Sequence, residues 1–163
     1  MALYGSPRDI SFFKGTSREI INKIVSQQIG YYKVMLSDTQ PNVYGENMNK
    51  NYVGPVLINC LIQRGDFTTA KEDFGPNVFR NVEFRFLKDD LVAANVVPET
   101  GDIVMYNELY YQVDTVNENQ KILGKDPDYA YTAGLEKYGS SYSIILSTHY
   151  TSGDALGITQ QRL

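Results

Sequence analysis

The sequence predicts a mainly β protein: a small antiparallel β-barrel or sandwich with one N-terminal α-helix and long loops or arms. Three observations favour this class. Only the segment before Gly30 spaces its apolar residues as a helix does, whereas from Tyr31 onward apolar residues tend to alternate with polar ones. Turn-forming residues separate these alternating runs every dozen residues or so, as in barrels and sandwiches.

Length and composition indicate one folded domain. The chain has 163 residues, of which 42% are hydrophobic, enough to bury a core in a domain of this size. We expect a single β-barrel-type domain over 1–163. Its parts are an N-terminal arm and helix over 1–30, a β-domain over 31–150 and an extended C-terminal tail over 151–163.

The predicted helix lies between Lys14 and Gly30. Thr16 can act as its N-cap, with Glu19 three residues later completing a capping box. Gly30 supplies a C-terminal stop. Four aliphatic residues recur at helical spacing and predict one buried stripe: Ile20, Ile21, Ile24 and Val25.

Strands follow the helix. Tyr31–Asp38 is the first, and "NYVGPVLINCLIQRGD" predicts the second, with Pro55 marking its start or a sheet edge. On one face of this second strand lie Val56, Ile58, Cys60 and Ile62. "NVEFRFLK" alternates, with Val82, Phe84 and Phe86 inward and Glu83, Arg85 and Leu87 outward.

The rest of the pattern is a short helix, a hairpin and a last strand. "KDDLVAANVV" predicts two helical turns before Pro98, and "PETGD" predicts a turn. A hairpin follows around Asn107-Glu108, a weaker turn than Asn-Gly. The closing strand, "SSYSIILSTH", places Tyr142, Ile144 and Leu146 on one side.

Two stretches, Thr39–Asn51 and Gly124–Ser141, are predicted long loops. The second is rich in tyrosine, which favours a functional loop over a disordered linker.

The sequence offers little chemistry. Cys60 and His149 are the single cysteine and histidine, so neither a cysteine metal cage nor a pair of histidine ligands can form. Cys60 among aliphatic residues is typical of core packing. Asp126 and Asp128 flank a proline and could hold a hard cation, although a solvated loop is the better interpretation. We therefore expect no enzyme, no cofactor and no bound metal.

Net charge and hydropathy limit the classes of partner that the sequence predicts. The net charge of −4 gives no sign of a groove that wraps nucleic acid. No apolar run of about 18 residues predicts a membrane span, and the first residues lack a signal-peptide core, so we expect synthesis in the cytoplasm and no membrane partner. Thirteen tyrosines beside no tryptophan indicate recurrent protein contact instead.

An ordered set of segments resembles the neck, or head-completion, proteins of contractile-tailed bacteriophages. The set runs through "VYGENMNKNYVGPVLINCLIQ", "NVEFRFLKDD", "PETGDIVMYNELYYQVDTVNENQKILG" and "YSIILSTHY". Within it, the matching positions are Tyr44-Gly45-Glu46, Pro98 with Gly101-Asp102-Ile103, and Tyr111 with Val113. The resemblance covers roughly residues Tyr31 to His149.

The resemblance implies a stopper in the virion neck. Copies of the chain would form a ring, a hexamer by this reading, between the portal-bound adaptor ring and the tail terminator or tail tube. The ring would close the DNA-filled head, dock the tail and touch packaged DNA weakly in its lumen. The candidate contact residues are Tyr44, Gly45, Glu46, Tyr110, Tyr111, Tyr129 and Tyr131, and the candidate channel loop carries Lys121, Lys125 and Lys137.

Two alternatives remain open at this point. A tail terminator or another tail-end ring protein would use the same barrel and the same ring. A non-viral β-barrel module would instead bind peptide or carbohydrate through Tyr110, Tyr111 and Tyr142.

Overall fold

A computed structural model describes residues 7–35, 50–72, 75–118 and 143–151. These residues form one antiparallel sheet of seven strands with the order β2-β1-β5-β6-β7-β4-β3. The strands are β1 Gln28–Val34, β2 Tyr52–Asn59, β3 Leu61–Glu72, β4 Gly75–Leu87, β5 Ile103–Tyr106, β6 Leu109–Glu118 and β7 Ser143–Thr151. The helices are α1 Pro7–Glu19, continued by a π-helical segment Ile20–Val25, and α2 Lys88–Ala93. The prediction of a mainly β fold with an N-terminal helix is confirmed.

The sheet curls without closing into a barrel. The edge strands β2 and β3 are not hydrogen-bonded to each other, yet Cys60 alone separates them in the chain. The Cys60 N–H donates to the carbonyl oxygen of Gln27 at 3.0 Å. Because one residue spans only about 3.8 Å between successive Cα atoms, the two edges must approach each other at this point. The predicted single strand around Cys60 is thus two strands, one at each edge.

The core lies inside the curl. As predicted, the inward residues of β4 are fully buried, and so are Ile144 and Leu146 of β7. Leu87 is buried too, contrary to its predicted outward position, because β4 ends there and the chain turns into α2. Val56 is 36% exposed because β2 is an edge strand, whereas Ile58 and Cys60 on the same face are buried.

The N-terminal helix begins earlier than its sequence signals predict. It starts at Pro7, a residue suited to the first helical turn because it lacks an N–H that would need a partner there. Thr16 and Glu19 therefore lie within α1, and the predicted N-cap and capping box are wrong. The π-helical segment ends at Ser26, whose left-handed φ of 46° lets its N–H donate to the Ile21 carbonyl at 2.9 Å.

Gly30 lies inside β1 and does not end the helix. A Cβ atom at this position would come within 3.2 Å of both the Met105 side chain and Pro55. Because Gly30 has no side chain, β1 can pack closely between β2 and β5. The sequence alone does not distinguish this use of glycine from a helix stop.

The buried carboxylate of Asp102 connects the central strands of the sheet through hydrogen bonds. Asp102 is 1% exposed, and its oxygens accept hydrogen bonds from the Tyr31 hydroxyl, from the Val34 N–H at 3.0 Å and from the Glu99 N–H at 2.9 Å. Lys33 Nζ lies 3.2 Å from the same carboxylate. The Asp102 carbonyl also accepts from the Val113 N–H at 2.8 Å. The predicted "PETGD" turn thus connects β1, β5 and β6 through one side chain and its own backbone.

The predicted hairpin around Asn107-Glu108 is present. It joins β5 to β6, with Tyr106 paired to Leu109 across the turn. Both turn residues have positive φ, 52° at Asn107 and 64° at Glu108, as a type I′ turn requires. Asparagine tolerates this conformation because its short polar side chain can hydrogen-bond to the local backbone, whereas glutamate adopts it at a steric cost.

The short helix predicted before Pro98 is α2, which carries Asp89 and Asp90 in its first turn. Lys14 Nζ lies 3.4 Å from Asp89, and Arg18 donates to Asp90 at 3.0 Å. These two ion pairs connect α1 to α2. Most of the two predicted loops, and Tyr142 with the tail beyond Thr151, lie outside the described residues.

Replacing Asp102 with alanine should destabilise the fold by about 3–5 kcal/mol, because it leaves buried donors and a lysine without their acceptor. The free energy of unfolding in denaturant measures this effect. Glu99→Gln is the matched control, since it neutralises the exposed carboxylate that pairs with Lys33 at 2.9 Å and should cost at most about 1 kcal/mol. Equal losses in both variants would contradict a special role for Asp102.

Glu108→Gly should raise the free energy of unfolding by about 0.5–1 kcal/mol, because glycine adopts the positive φ without strain. Glu108→Ala is the control, since it removes the charge but keeps the Cβ atom and should change stability little. If alanine stabilised the chain as much as glycine, charge and not backbone strain would explain the gain.

Candidate subunit interface

The single histidine and the single cysteine of the chain are engaged in pairing or packing. His149 Nδ1 lies 2.6 Å from a carboxylate oxygen of Asp114, and both side chains are partly exposed. His149 is thus a partly exposed histidine that is paired with an acidic side chain. Within the described residues, no cluster of histidine, cysteine and acidic side chains is arranged to hold a metal ion. Asp126 and Asp128 lie outside those residues.

Cys60 belongs to the hydrophobic core, as its sequence context predicts. Burial raises the pKa of its thiol from 9.0 to about 12. The neutral thiol is therefore the favoured form in the folded chain. Its burial contributes to stability below pH 9, and this contribution is lost as the pH rises toward 12. A nucleophilic thiolate is correspondingly disfavoured.

Two of the predicted contact residues lie among the described residues, and both are buried. Tyr110 is 5% exposed and Tyr111 is 1% exposed. The Tyr111 ring packs edge-on against Phe84, with 5.9 Å between ring centroids, and the Tyr110 ring lies 6.2 Å from that of Tyr32. Both faces of β6 are thus covered here, and the two rings offer little surface to another subunit.

The other candidate residues lie outside the described part of the chain. They are Tyr44, Gly45, Glu46, Tyr129, Tyr131, Lys121, Lys125 and Lys137. Their contact and channel roles stay predictions.

The N-terminal helix exposes large apolar side chains. Phe12 is 69% exposed and Ile24 is 72% exposed, and Phe13, Ile20 and Val25 are also exposed. Ile21 is the one member of the predicted stripe that is buried. The expectation of a stripe packed against the protein is therefore wrong for Ile20, Ile24 and Val25. Ion pairs and Ile21 attach the helix to the domain, and the rest of its apolar face stays uncovered.

Strand β2 adds to this exposure. Leu57 is 60% exposed and Val53 is 53% exposed. The bulge between the Tyr31 and Lys33 pairings places Val53 on the same face of β2 as Val56, whereas Leu57 lies on the other face. Asn59 lies on that face as well, and its side-chain amide donates to the Asn22 side chain at 3.0 Å. The hydrogen bond fixes the π-helical segment beside the end of β2. We call the exposed apolar residues of the helix, together with Leu57 of β2, the apolar surface: Phe12, Phe13, Ile20, Ile24, Val25 and Leu57.

The apolar surface is unusual for a chain that acts alone, because monomers seldom expose many large apolar side chains together. Beside it, β2 has backbone groups with no neighbouring strand on its outer side among the described residues. Such an edge invites pairing with another chain, and Pro55 limits it by removing one N–H donor. Two residues in the sequence indicate this surface. Phe12 and Phe13 widen the apolar face of the helix beyond one narrow stripe.

Among the described residues, no helix is long and apolar enough to cross a lipid bilayer. No protein-family model matches the chain. No curated protein matches it either.

Cys60 should react slowly with a thiol-specific reagent at pH 8, because raising its pKa from 9.0 to about 12 lowers its thiolate fraction roughly a thousandfold. The measurement is the rate of labelling in native buffer and in denaturant, where the reaction should become fast. Thr115→Cys provides an exposed cysteine on β6 as the control and should label quickly in both conditions. Fast native labelling of Cys60 would contradict its burial.

Proposed function

We propose that the chain is a structural subunit that assembles with copies of itself into a ring, and that this ring belongs to a bacteriophage neck. The ring sits between the portal-bound adaptor and the tail, closes the DNA-filled head and docks the tail. The location follows from the sequence resemblance. The ring assembly has its support in the exposure of the described residues.

The apolar surface is the observation that carries the proposal. Burying a large aliphatic or aromatic side chain fully contributes about 1.5–3 kcal/mol. Association costs about 4–15 kcal/mol in lost freedom of motion. The six side chains of the apolar surface are 42–72% exposed, so covering them contributes about 5–10 kcal/mol, which is comparable with that cost and supports a contact between subunits.

A second copy of the chain is the partner that charge favours. The first 50 residues carry six basic and four acidic side chains, whereas residues 101–163 carry four basic and eight acidic ones. Most of the apolar surface lies on the N-terminal helix, which belongs to the basic part, so the acidic part of another copy complements it. Contacts between two different faces of the same chain are head-to-tail, and they close into a ring when the rotation between copies allows.

The proposed role is structural and involves no catalysis. Its partners are other copies of the chain, the adaptor ring, the tail terminator or tail tube, and packaged DNA through weak contacts in the lumen. The binding-module alternative depends on Tyr110, Tyr111 and Tyr142, and the burial of the first two supports it poorly.

Leu57→Lys and Ile24→Lys should abolish ring formation while leaving the fold intact, because both side chains are exposed in the single chain and charges there would be buried in an interface. The measurement is particle mass by light scattering, with and without the isolated portal–adaptor complex as a template. Each substitution should change the free energy of unfolding by about 0.5 kcal/mol or less.

Tyr150→Ser is the matched control. Tyr150 is 46% exposed but lies on β7, four strands from β2 in the sheet order, so this variant should assemble as the wild-type chain does. Assembly of Leu57→Lys and Ile24→Lys into wild-type particles would rule out this surface as the interface.

The position in the virion can be tested separately. Antibody detection of the chain on tail-less, DNA-filled heads is the expected result for a neck ring. Detection only on free tails would place the chain at the tail end and exclude the neck.

A further inference from the structure

Arginine and tyrosine side chains from five strands meet at core-facing positions of the curled sheet. On β4, Arg80 alternates with the buried Val82 and Phe84, and on β7 Tyr150 alternates with the buried Thr148. The remaining members are Arg64 of β3, Tyr106 of β5 and Tyr111 of β6. We call these five residues the arginine–tyrosine cluster: Arg64, Arg80, Tyr106, Tyr111 and Tyr150.

Arg64 is held in place across the inside of the curl. Its Nη2 donates to the Tyr106 hydroxyl at 2.6 Å, and its guanidinium carbon lies 5.2 Å from the centre of the same ring. Three strands separate β3 from β5 in the sheet, so this contact joins strands that face each other. Since the Tyr106 ring packs against the buried Phe84 at 6.2 Å, the guanidinium rests on a fixed support.

The aromatic members form a continuous row beside the two arginines. Tyr111 is paired with Tyr150 across β6 and β7, and their rings meet edge-on at 6.2 Å. Burial raises the pKa of Tyr111, while the positive charges of Arg80 and Arg64 act in the opposite direction. Both guanidinium groups are therefore close enough to affect this phenol, whose ring is buried in the hydrophobic core.

The positive charge of Arg64 meets no carboxylate among the described residues, and its hydrogen bond there goes to the Tyr106 hydroxyl. A guanidinium held this way keeps further donors for an anion. One arginine fork satisfies both oxygens of a carboxylate, whereas a tetrahedral phosphate has oxygens for two forks and for phenol donors as well. Two arginines from neighbouring strands, with the phenols of Tyr106 and Tyr150 beside them, therefore fit phosphate better.

We propose that the arginine–tyrosine cluster binds the phosphate group of a small molecule. The chain's net charge of −4 disfavours a long polyanion, whereas a small phosphate compound can enter the concave side of the sheet. The exposed Tyr150 ring at the rim offers a face on which an aromatic group of the ligand can stack. This binding does not depend on the proposed ring assembly.

The test is calorimetric titration of the full chain with inorganic phosphate and with a nucleoside monophosphate. We expect saturable binding of phosphate, weakened about tenfold by Arg64→Gln, since a hydrogen bond to a charged group contributes about 1.5–3 kcal/mol. Tyr106→Phe should weaken it less, because it removes only the hydroxyl that positions Arg64. Tighter binding of the nucleoside monophosphate would identify a nucleotide as the source of the phosphate.

Arg85→Gln is the matched control. Arg85 lies on the opposite face of β4, where it donates to Gln63 at 2.7 Å and to Glu83 at 3.2 Å, so its loss should leave phosphate binding unchanged. Arg64 is exposed, so its variant should fold, and thermal unfolding checks this.

Three results would overturn the proposal. They are no saturable phosphate binding by the wild-type chain, equal weakening by Arg64→Gln and Arg85→Gln, and tighter binding of a glutamate-rich peptide or a short DNA duplex than of the small phosphate compounds.

Discussion

The buried carboxylate of Asp102 is the constraint on which the arrangement of the sheet depends. A charge inside a protein is tolerated only when donors surround it, and here the donors come from β1 and from the turn that precedes β5. The position of β1 is thereby fixed relative to β5, and β1 in turn carries the edge strand β2 and continues from the N-terminal helix. The hydrogen bonds to Asp102 therefore also fix the position of the apolar surface, which lies on the N-terminal helix and β2.

Much of the fold could be read from the sequence because alternation of apolar and polar residues reports directly which side of a strand is buried. Val82, Phe84 and Phe86 illustrate this. Helix boundaries were less accessible, since Thr16 and Gly30 carry local signals that the surrounding structure overrides. Gly30 serves close strand packing, and only the positions of Met105 and Pro55 reveal that role.

The candidate contact surface was harder to predict than the fold. Tyrosines commonly serve in interfaces, yet Tyr110 and Tyr111 are neighbours on a strand whose two faces are both covered, so both rings are buried. The exposed residues are aliphatic and phenylalanine side chains on a helix whose pattern resembles that of a packed one. A sequence pattern shows that a helix has an apolar face, but the three-dimensional arrangement decides whether the same chain covers it. The arginine–tyrosine cluster likewise depends on strands that are distant in sequence.

The junction at Cys60 has a mechanical consequence. Force applied to β2 reaches β3 through a single residue of covalent chain, whereas the route across the sheet passes through six ladders of hydrogen bonds. Covalent chain stretches far less than a hydrogen-bonded ladder does. Tension on one border of the sheet is therefore carried straight to the opposite border, and the core between them is spared much of the load.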